Sequence, residues 1–473
     1  MKTADGMAVT AAQVSPQPAT SAPAASPWPA FWIASSGALL VSLDTTMLFA
    51  AFDALRRSFE GTSAAELSWV LNGYTVVYAA MLIPAGGLAD VHGRRRVFRL
   101  GLAVFVFASA ACGLAPTVGW LVAARVLQAI GAALLTPASL SIVLAAFPSE
   151  RRAVAVSLWG AVGGLAAALG PSLGSWVTAH AGWPWAFYIN VPIGLWALWR
   201  SGSTVQEAVK PTQSRRVDVV GLLLLMAAVG ALVLAIVETG ESRWSRTWIV
   251  AVAAGGVLAG LAFVAWARTR PDALIDPSLF RHRTYRYVNA ATLVFGTAFT
   301  MMFLGFFLFM IGVWKYGLPL AGLAVTPGPL LVIPTAIVTG RLAARLGHRP
   351  FLVGGSVLYA CSSLWFLWVP GAQPDYLRHW LPGLMMSGVA VGLVLPSLSG
   401  AAVSRLPAEH YAVGTAVNQA TRQIGGALGV AITVGLLGHV GLVRADFDLL
   451  YGLHVALALG TALLCLPVNT RPR

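Results

Sequence analysis

Long apolar runs, separated by short polar and basic stretches, make up most of this chain of 473 residues. Several runs reach about 18 residues, the length at which a helix can cross the hydrocarbon core of a bilayer. The apolar–polar alternation of outer-membrane barrel strands is not seen. The pattern therefore predicts an all-α membrane protein with fourteen spanning helices. They are predicted at residues 30–52, 68–90, 97–115, 118–146, 153–178, 185–200, 218–238, 247–267, 287–312, 322–343, 350–369, 379–403, 412–437 and 449–467.

Composition supports the membrane class and removes one alternative. Hydrophobic residues make up 58% of the chain and charged residues 10%, whereas a soluble domain carries about 25% charged residues. The net charge of +14 would suit a nucleic-acid partner, but the basic residues are spread through the loops. Most of them fall on the side that holds both termini, which predicts cytoplasmic termini. We expect a multi-pass protein of the plasma membrane or cell inner membrane, with no nucleic-acid partner.

The three cysteines carry no predicted chemistry. Cys112, Cys361 and Cys465 all lie inside apolar runs, where cysteine is most simply a small core residue. Neither a disulfide framework nor a metal site follows from their spacing. No metal and no cofactor are predicted.

A ten-residue repeat defines the predicted architecture. The segment Gly86–Arg95 aligns without gaps with Gly340–Arg349, eight predicted helices later. A duplication of six helices would place the copies six apart, so two helices are inserted between the halves, and repeated halves are typical of transporters with a site between them. The predicted organisation is a disordered cytoplasmic tail (1–28), an N-terminal six-helix bundle (29–200), cytoplasmic linkers with two inserted helices (201–286), a C-terminal six-helix bundle (287–467) and a cytoplasmic tail (468–473).

Five segments carry a family resemblance by their order and spacing. They are Leu43-Asp44-Thr45-Thr46, Gly86 to Arg96, Arg125-Val126-Leu127-Gln128, Gly170-Pro171-Ser172-Leu173-Gly174 and Trp185 to Gly194. Together they resemble the fourteen-helix drug:proton antiporters of the major facilitator superfamily (the EmrB/QacA type). The resemblance implies the major facilitator fold in a lipid bilayer, with protons as the coupling ion and a small-molecule substrate.

Asp44 and Arg125 are the charged pair on which the predicted mechanism rests. A carboxylate inside a bilayer is costly and normally marks an ion path or a paired charge. Counting about 1.5 Å per helical residue places both side chains at nearly the same depth. We expect them to pair, directly or through Gln128, and protonation of Asp44 to loosen the pair. A purely structural ion pair is the alternative.

The loop after the second predicted helix is the candidate cytoplasmic gate. By resemblance, Gly86, Asp90, Gly93, Arg94 and Arg95 form charged and close contacts that break and re-form as the halves rock. An ordinary positively charged cytoplasmic loop is the alternative. The second copy has Ala344 where the first has Asp90, so a latch there should be weaker.

The fifth predicted helix contains the segment that resembles the family's antiporter motif. Pro171 removes a backbone donor, and Gly164, Gly170 and Gly174 allow close helix crossing. Ser175 stands where a second glycine is usual in the family. Helix packing alone is the alternative reading of this motif.

Candidate residues of a substrate cavity are Trp69, Tyr74, Phe307 and Arg422. The aromatic rings could stack on flat cations, although such residues often face lipid. Arg422 lacks an acidic partner in its own half, and it bonds to carbonyls, faces the cavity or lies near a helix start. Asp53, at the outer end of the first predicted helix, is either a solvated charge or a second site for cations or protons.

The function expected from these observations is proton-coupled export of small amphipathic or cationic compounds by a monomer, through alternating access. A dedicated exporter of one metabolite or self-made antibiotic is the alternative. No His-Glu-x-x-His motif, paired intramembrane histidine or Ser/Lys set is present in the sequence, so an enzyme is not expected. A receptor or scaffold would leave Asp44 and Arg125 unexplained.

Overall fold

The computed structural model describes residues 26–148, 151–204, 218–239, 244–270, 273–406, 411–439 and 441–470. Most of the predicted N-terminal tail, the linker at 205–217 and the last three residues lie outside the described residues. So do the side chains of some helix residues, including Asp90 and Ala344. The described ranges consist of helices, turns and loops, without a strand.

Helices occupy every segment that the hydrophobic pattern predicts. The first half contains α1 (Trp28–Ser58), α2 (Ala64–His92), α3 (Arg94–Gly113), α4 (Val118–Ala146), α5 (Arg152–Ala181), α6 (Trp185–Tyr188) and α7 (Asn190–Thr204). The inserted pair is α8 (Val219–Glu238) and α9 (Arg246–Thr269). The second half contains α10 (Arg283–Gly312), α11 (Leu318–Val325), α12 (Pro327–Leu346), α13 (Arg349–Trp368), α14 (Leu381–Val403), α15 (Tyr411–Leu437) and α16 (Phe447–Cys465).

Local sequence explains several helix boundaries. Ser63, Thr117 and Ser245 each precede a helix and accept a hydrogen bond from a backbone N–H of its first turn. Such caps satisfy amides that have no partner within the helix. The predicted helix at 322–343 is interrupted between α11 and α12, next to Pro327, which has no N–H to continue the ladder.

Twelve spans within the described residues are long and apolar enough to cross a membrane. The segments predicted at 153–178 and 185–200 are not among them, although α5 and the α6–α7 pair occupy these places. α7 alone has 15 residues, fewer than the roughly 20 that a crossing needs. The twelve spans establish a multi-pass membrane protein, whereas the count of fourteen and the cytoplasmic termini stay predictions.

The helices pack as two bundles joined by the inserted pair. α1 packs on α4, α5 and α7, whereas α10 packs on α14, α15 and α16. The bundles meet where α2 crosses α15 and where α5 contacts α11 and α12. α8 packs on α2 and α15 at once, with α9 on its outer side. Large apolar side chains of α9, such as Trp248 and Leu258, are exposed, as a lipid-facing helix requires.

The repeat in the sequence has a structural counterpart. Gly93 separates α2 from α3 with φ of 95°, and Gly347 separates α12 from α13 with φ of 76°. Only glycine adopts this left-handed region without a steric cost. The two copies thus build the same sharp turn between consecutive helices.

Candidate functional site

The predicted pair of Asp44 and Arg125 is present in the core of the first bundle. The Asp44 Oδ2 lies 2.6 Å from Arg125 Nη1. Both side chains are buried, with exposed fractions of 2% and 1%. Gln128, one turn after Arg125 on α4, joins both partners. Its Nε2 donates to Asp44 Oδ1 at 2.8 Å, and its Oε1 accepts from Arg125 Nη1 at 2.5 Å.

Two further residues, neither predicted from the sequence, complete the group that we name the coupling cluster after its predicted role. Its members are Asp44, Ser109, Arg125, Gln128 and Asn190. Asn190 Nδ2 donates to Asp44 Oδ1 at 2.9 Å, and Ser109 Oγ accepts from Gln128 Nε2 at 2.7 Å. Asn190 is the first residue of α7, directly after the break that ends α6. α7 packs on α1 and α3, which brings the Asn190 amide to Asp44 and Ser109. Its position within the segment Trp185 to Gly194 was the available signal.

Arg125 is held on every side that the structure describes. Its Nε donates to the Val70 carbonyl oxygen at 3.1 Å. The Tyr74 ring lies 4.0 Å from the guanidinium carbon, and the Phe187 ring lies 5.7 Å away. Aromatic faces attract cations, more strongly when water is excluded. The guanidinium is therefore fixed by Asp44, by a carbonyl and by two rings.

A cavity of about 450 Å³ lies between the two bundles. Tyr74 and Thr45 line it from the first bundle, next to the coupling cluster. Because the Tyr74 ring contacts Arg125 on one side and the cavity on the other, it connects the two sites. The remaining lining is mostly small and apolar, with aromatic rings such as those of Phe299 and Phe303 from α10.

The structure separates the four predicted cavity residues into two pairs. Tyr74 and Arg422 line the cavity. Trp69 packs instead against the apolar cluster formed by α2, α8 and α15. Phe307 is 2% exposed and packs inside the second bundle beside Phe303. The prediction that Trp69 and Phe307 line the cavity is wrong, because their helix faces point to packed interfaces.

The α5 motif forms contacts with both bundles. A Cβ on Gly170 would lie 2.7 Å from Thr46 Cβ, and one on Gly174 would lie 2.7 Å from Met47 Cα. On the other side, Ser172 Oγ hydrogen-bonds Thr326 Oγ1, and a Cβ on Gly322 would lie 2.6 Å from the Pro171 carbonyl oxygen. The motif thus lies where α5 of the first bundle meets α11 of the second.

Other motif glycines have more room. Gly164 lines the cavity, and a Cβ there would lie 3.8 Å from Ile333 Cγ1. Ser175, the departure from the family pattern, is buried against Gly322, and its Oγ has no hydrogen-bond partner among the described residues.

The gate candidates lie around the turn at Gly93. Arg94 Nη1 donates to the Ser141 carbonyl oxygen of α4 at 3.2 Å. Gly86 lies beside Pro137, where a Cβ would be 3.8 Å from its Cβ. Arg95 is partly buried, and the side chain of Asp90 lies outside the described residues. The gating role of this loop stays a prediction.

Asp53 is a buried ion pair and not a solvated charge. α1 continues to Ser58, so Asp53 precedes the helix end by more than a turn. Its carboxylate is 7% exposed and accepts from Arg56 at 3.1 Å and from Arg57 at 2.5 Å. The interpretation as a solvated helix-end charge is wrong, because the helix is longer than the apolar run.

Asp218 caps α8 outside the membrane-spanning segments. It accepts hydrogen bonds from the backbone amides of Gly221 and Leu274 and from the Trp266 indole. Partial burial raises the pKa of Asp218, but these hydrogen bonds and the nearby Arg270 charge outweigh it. The net effect holds its pKa below its ordinary value. Asp218 is the first residue of the helix predicted at 218–238, and its side chain joins α8, α9 and the segment that follows.

The second bundle contains a polar cluster at the position related to the coupling cluster. The sequence spacing from Gly93 to Gly347 also separates Asp44 from Ala298 and Ser109 from Ser363. His454, 1% exposed, hydrogen-bonds Ser363 Oγ through Nδ1 and lies 2.9 Å from the Ala298 carbonyl oxygen through Nε2. His454 was not singled out in the sequence, because one histidine in an apolar run is most simply a core residue.

Comparison with known proteins identifies the family. The sequence pattern of the Major Facilitator Superfamily matches residues 34–430. The chain belongs to this superfamily. Over 436 residues it is 34% identical to the puromycin resistance protein pur8 of Streptomyces alboniger, covering 89% of this chain and 84% of that protein. It is 30% identical over 427 residues to the tetracenomycin C resistance and export protein of Streptomyces glaucescens, covering 89% and 78%.

Solved structures confirm the major facilitator fold of this chain. The crystal structure of a D-xylose–proton symporter superposes with a TM-score of 0.67 at 14% identity, covering 94% of this chain and 98% of the symporter. At this identity the likeness concerns the fold alone.

Proposed function

We propose that this superfamily member exports small amphipathic or cationic compounds in exchange for protons, as a monomer, by alternating access between its two bundles. The observation that carries the proposal is the buried Asp44–Arg125 pair, which touches the cavity through Tyr74. Because a proton acceptor lies next to the cavity, proton binding can affect substrate binding, and substrate binding can affect proton binding.

The chemistry of the exchange follows from the contacts of Asp44. Its two oxygens accept from Arg125, Gln128 and Asn190, so ionised Asp44 satisfies all three donors. Protonation turns one carboxylate oxygen into a donor and removes the charge that balances Arg125. The guanidinium then strengthens its attraction to the Tyr74 ring, and the packing of α1 against α4 changes at the cavity wall.

Fourteen crossings, the EmrB/QacA subtype and the cytoplasmic termini form part of the same proposal. α6 and α7 together extend from Trp185 to Thr204, and about 20 helical residues cover roughly 30 Å. α5 has 30 residues, enough for a full crossing. With the termini cytoplasmic, the closed contact of α5 with α11 lies on the outer side, and the cavity belongs to an inward-facing state.

Relatives support the direction of transport. The pur8 protein is named for puromycin resistance and the Streptomyces glaucescens relative for resistance and export of tetracenomycin C. Both names refer to one compound each, as expected of the second candidate, a dedicated exporter of a single metabolite or self-made antibiotic. Relatives named as multidrug resistance proteins fit the first candidate. The same coupling cluster serves either case.

Purified protein in liposomes with an imposed pH gradient tests the proposal. An acidic interior should drive accumulation of a rhodamine methyl ester, a cationic dye, and collapse of the gradient with nigericin should abolish it. Empty liposomes and the Asp44→Asn variant are the controls. Accumulation that is indifferent to the gradient would remove the antiport claim and leave the fold untouched.

A further inference from the structure

Arg422 gives the cavity an uncompensated positive charge. Of the described residues that line the cavity, one is charged, Arg422, and none is an aspartate or glutamate. Asp44 lies behind the wall with its charge balanced by Arg125 at 2.6 Å. The space between the bundles therefore carries a net positive charge.

The guanidinium of Arg422 has no hydrogen bond or ion pair with any residue that the structure describes, and its Nε is buried without a partner. α15 begins at Tyr411, so Arg422 is well inside the helix and not at its start. Of the three possibilities that the sequence left open for Arg422, the structure supports the one in which its side chain faces the cavity. A buried guanidinium nitrogen without a hydrogen-bond partner is unfavourable, and a ligand anion in the cavity would reduce this cost.

The neighbours of Arg422 suit recognition of an anion. Gln419 and Gln423 also line the cavity from α15, so their amides add neutral donors to the same cavity. Tyr78 lines the same region, with its Oη 2.9 Å from Thr136 Oγ1. Arginine binds a carboxylate through two parallel N–H donors, a geometry that a compact ammonium group does not offer.

We infer that Arg422 binds an acidic group of the transported compound, so that the exporter prefers amphipathic substrates with a carboxylate or a similar anion. The inference rests on the proposed function and narrows its substrate class. The apolar walls and rings of the cavity hold the rest of the molecule. A lipid headgroup offers the same anionic chemistry, and the experiment separates the two sources.

Two forms of one dye test the inference. A rhodamine with a free benzoate and its methyl ester differ only in the acidic group. Binding is measured by fluorescence anisotropy to protein in phosphatidylcholine nanodiscs, which contain no anionic lipid. The wild type should bind the acid about tenfold more tightly than the ester. Arg422→Gln should abolish this difference, and Arg422→Lys should keep part of it.

Controls make each result decisive. Arg246→Gln removes an exposed charge at the start of α9 and should leave the preference unchanged. A thermal unfolding curve of each variant establishes that it is folded. Adding phosphatidylglycerol to the nanodiscs should leave acid binding unchanged, and competition by this lipid would assign the site to a headgroup. Equal binding of acid and ester, or no saturable binding of the acid, overturns the inference.

The binding experiment uses no pH gradient, so its failure is distinguishable from failure of antiport. A protein that binds the acid selectively but ignores the gradient would keep this inference and lose the proposed coupling. A protein that couples ester transport to protons without any preference for the acid would lose this inference alone.

Discussion

Replacing Asp44 by asparagine separates a coupling residue from a structural ion pair. The change keeps the size of the side chain but removes the charge opposite Arg125, and it turns one acceptor oxygen into an amide donor. Three donors, from Arg125, Gln128 and Asn190, converge on the two oxygens. At least one of them loses its partner in the variant.

The expected loss of stability follows from these contacts. Breaking a buried ion pair by removing one partner costs about 3–5 kcal/mol, since the other charge stays buried. Val70, Tyr74 and Gln128 continue to hold Arg125, which places the cost toward the lower end of that range. A double variant, Asp44→Asn with Arg125→Gln, removes both charges and should regain most of this stability.

Transport then distinguishes the two roles. The Asp44→Asn variant and the double variant should both lose accumulation driven by a pH gradient, while exchange of labelled for unlabelled dye at equal pH continues. Wild-type protein should release protons into weak buffer when substrate binds, and neither variant should do so. Asp53→Asn, which alters the buried acid near the end of the same helix, is the matched control and should keep proton-driven transport. Full gradient-driven transport by a well-expressed Asp44→Asn variant, or by the more stable double variant, would refute the coupling role.

Three further predictions follow from the packing, the helix cap and the cavity charge. Gly174→Ala should lower the free energy of unfolding by about 1–3 kcal/mol, since a Cβ would lie 2.9 Å from the Met47 carbonyl oxygen. A Cβ on Gly160 in the same helix meets no atom within 4 Å, so Gly160→Ala should be neutral in the same unfolding assay. The pKa of Asp218 is lowered in the folded protein. The stability that its carboxylate contributes is therefore complete above its ordinary pKa of about 4 and is lost as pH falls through the folded value. The difference in unfolding free energy between wild type and Asp218→Ala, followed by acid titration, should shrink only below pH 4, and a difference that shrinks near neutral pH would contradict the assignment. In liposomes with a clamped membrane potential, exchange of one proton for one zwitterionic acid dye moves one net charge, worth about 2.3 kcal/mol per 100 mV. Accumulation of the acid dye should therefore depend on voltage. Exchange of one proton for one cationic ester moves no net charge, so accumulation of the ester should not.

The charged residues were the most predictable part of the site. A carboxylate and a guanidinium inside apolar runs are costly, so their presence already indicated a pair, and the rise per residue was enough to match Asp44 with Arg125. The predicted architecture of repeated halves rested on equally local evidence, the recurrence of a glycine turn at Gly93 and Gly347.

Helix faces were the least predictable part. α10 is apolar on every side and buried over most of its length, so its sequence gives no periodic signal that separates Phe303, which lines the cavity, from Phe307, which does not. Asn190 begins α7 directly after the break that ends α6. Its contact with Asp44 depends on the packing of α7 against α1, a tertiary feature that composition does not encode. The same break explains why the segment at 185–200 is not one long apolar span.

The position of α8 restricts how the two bundles can move. Since α8 packs on α2 and α15 together, it bridges the seam between the two bundles on this side and covers it against membrane lipid. The opposite seam, where α5 meets α11 and α12, has no described helix across it in this way. In the proposed alternating access, we therefore expect the larger displacement at the uncovered seam, where α5 meets α11 and α12.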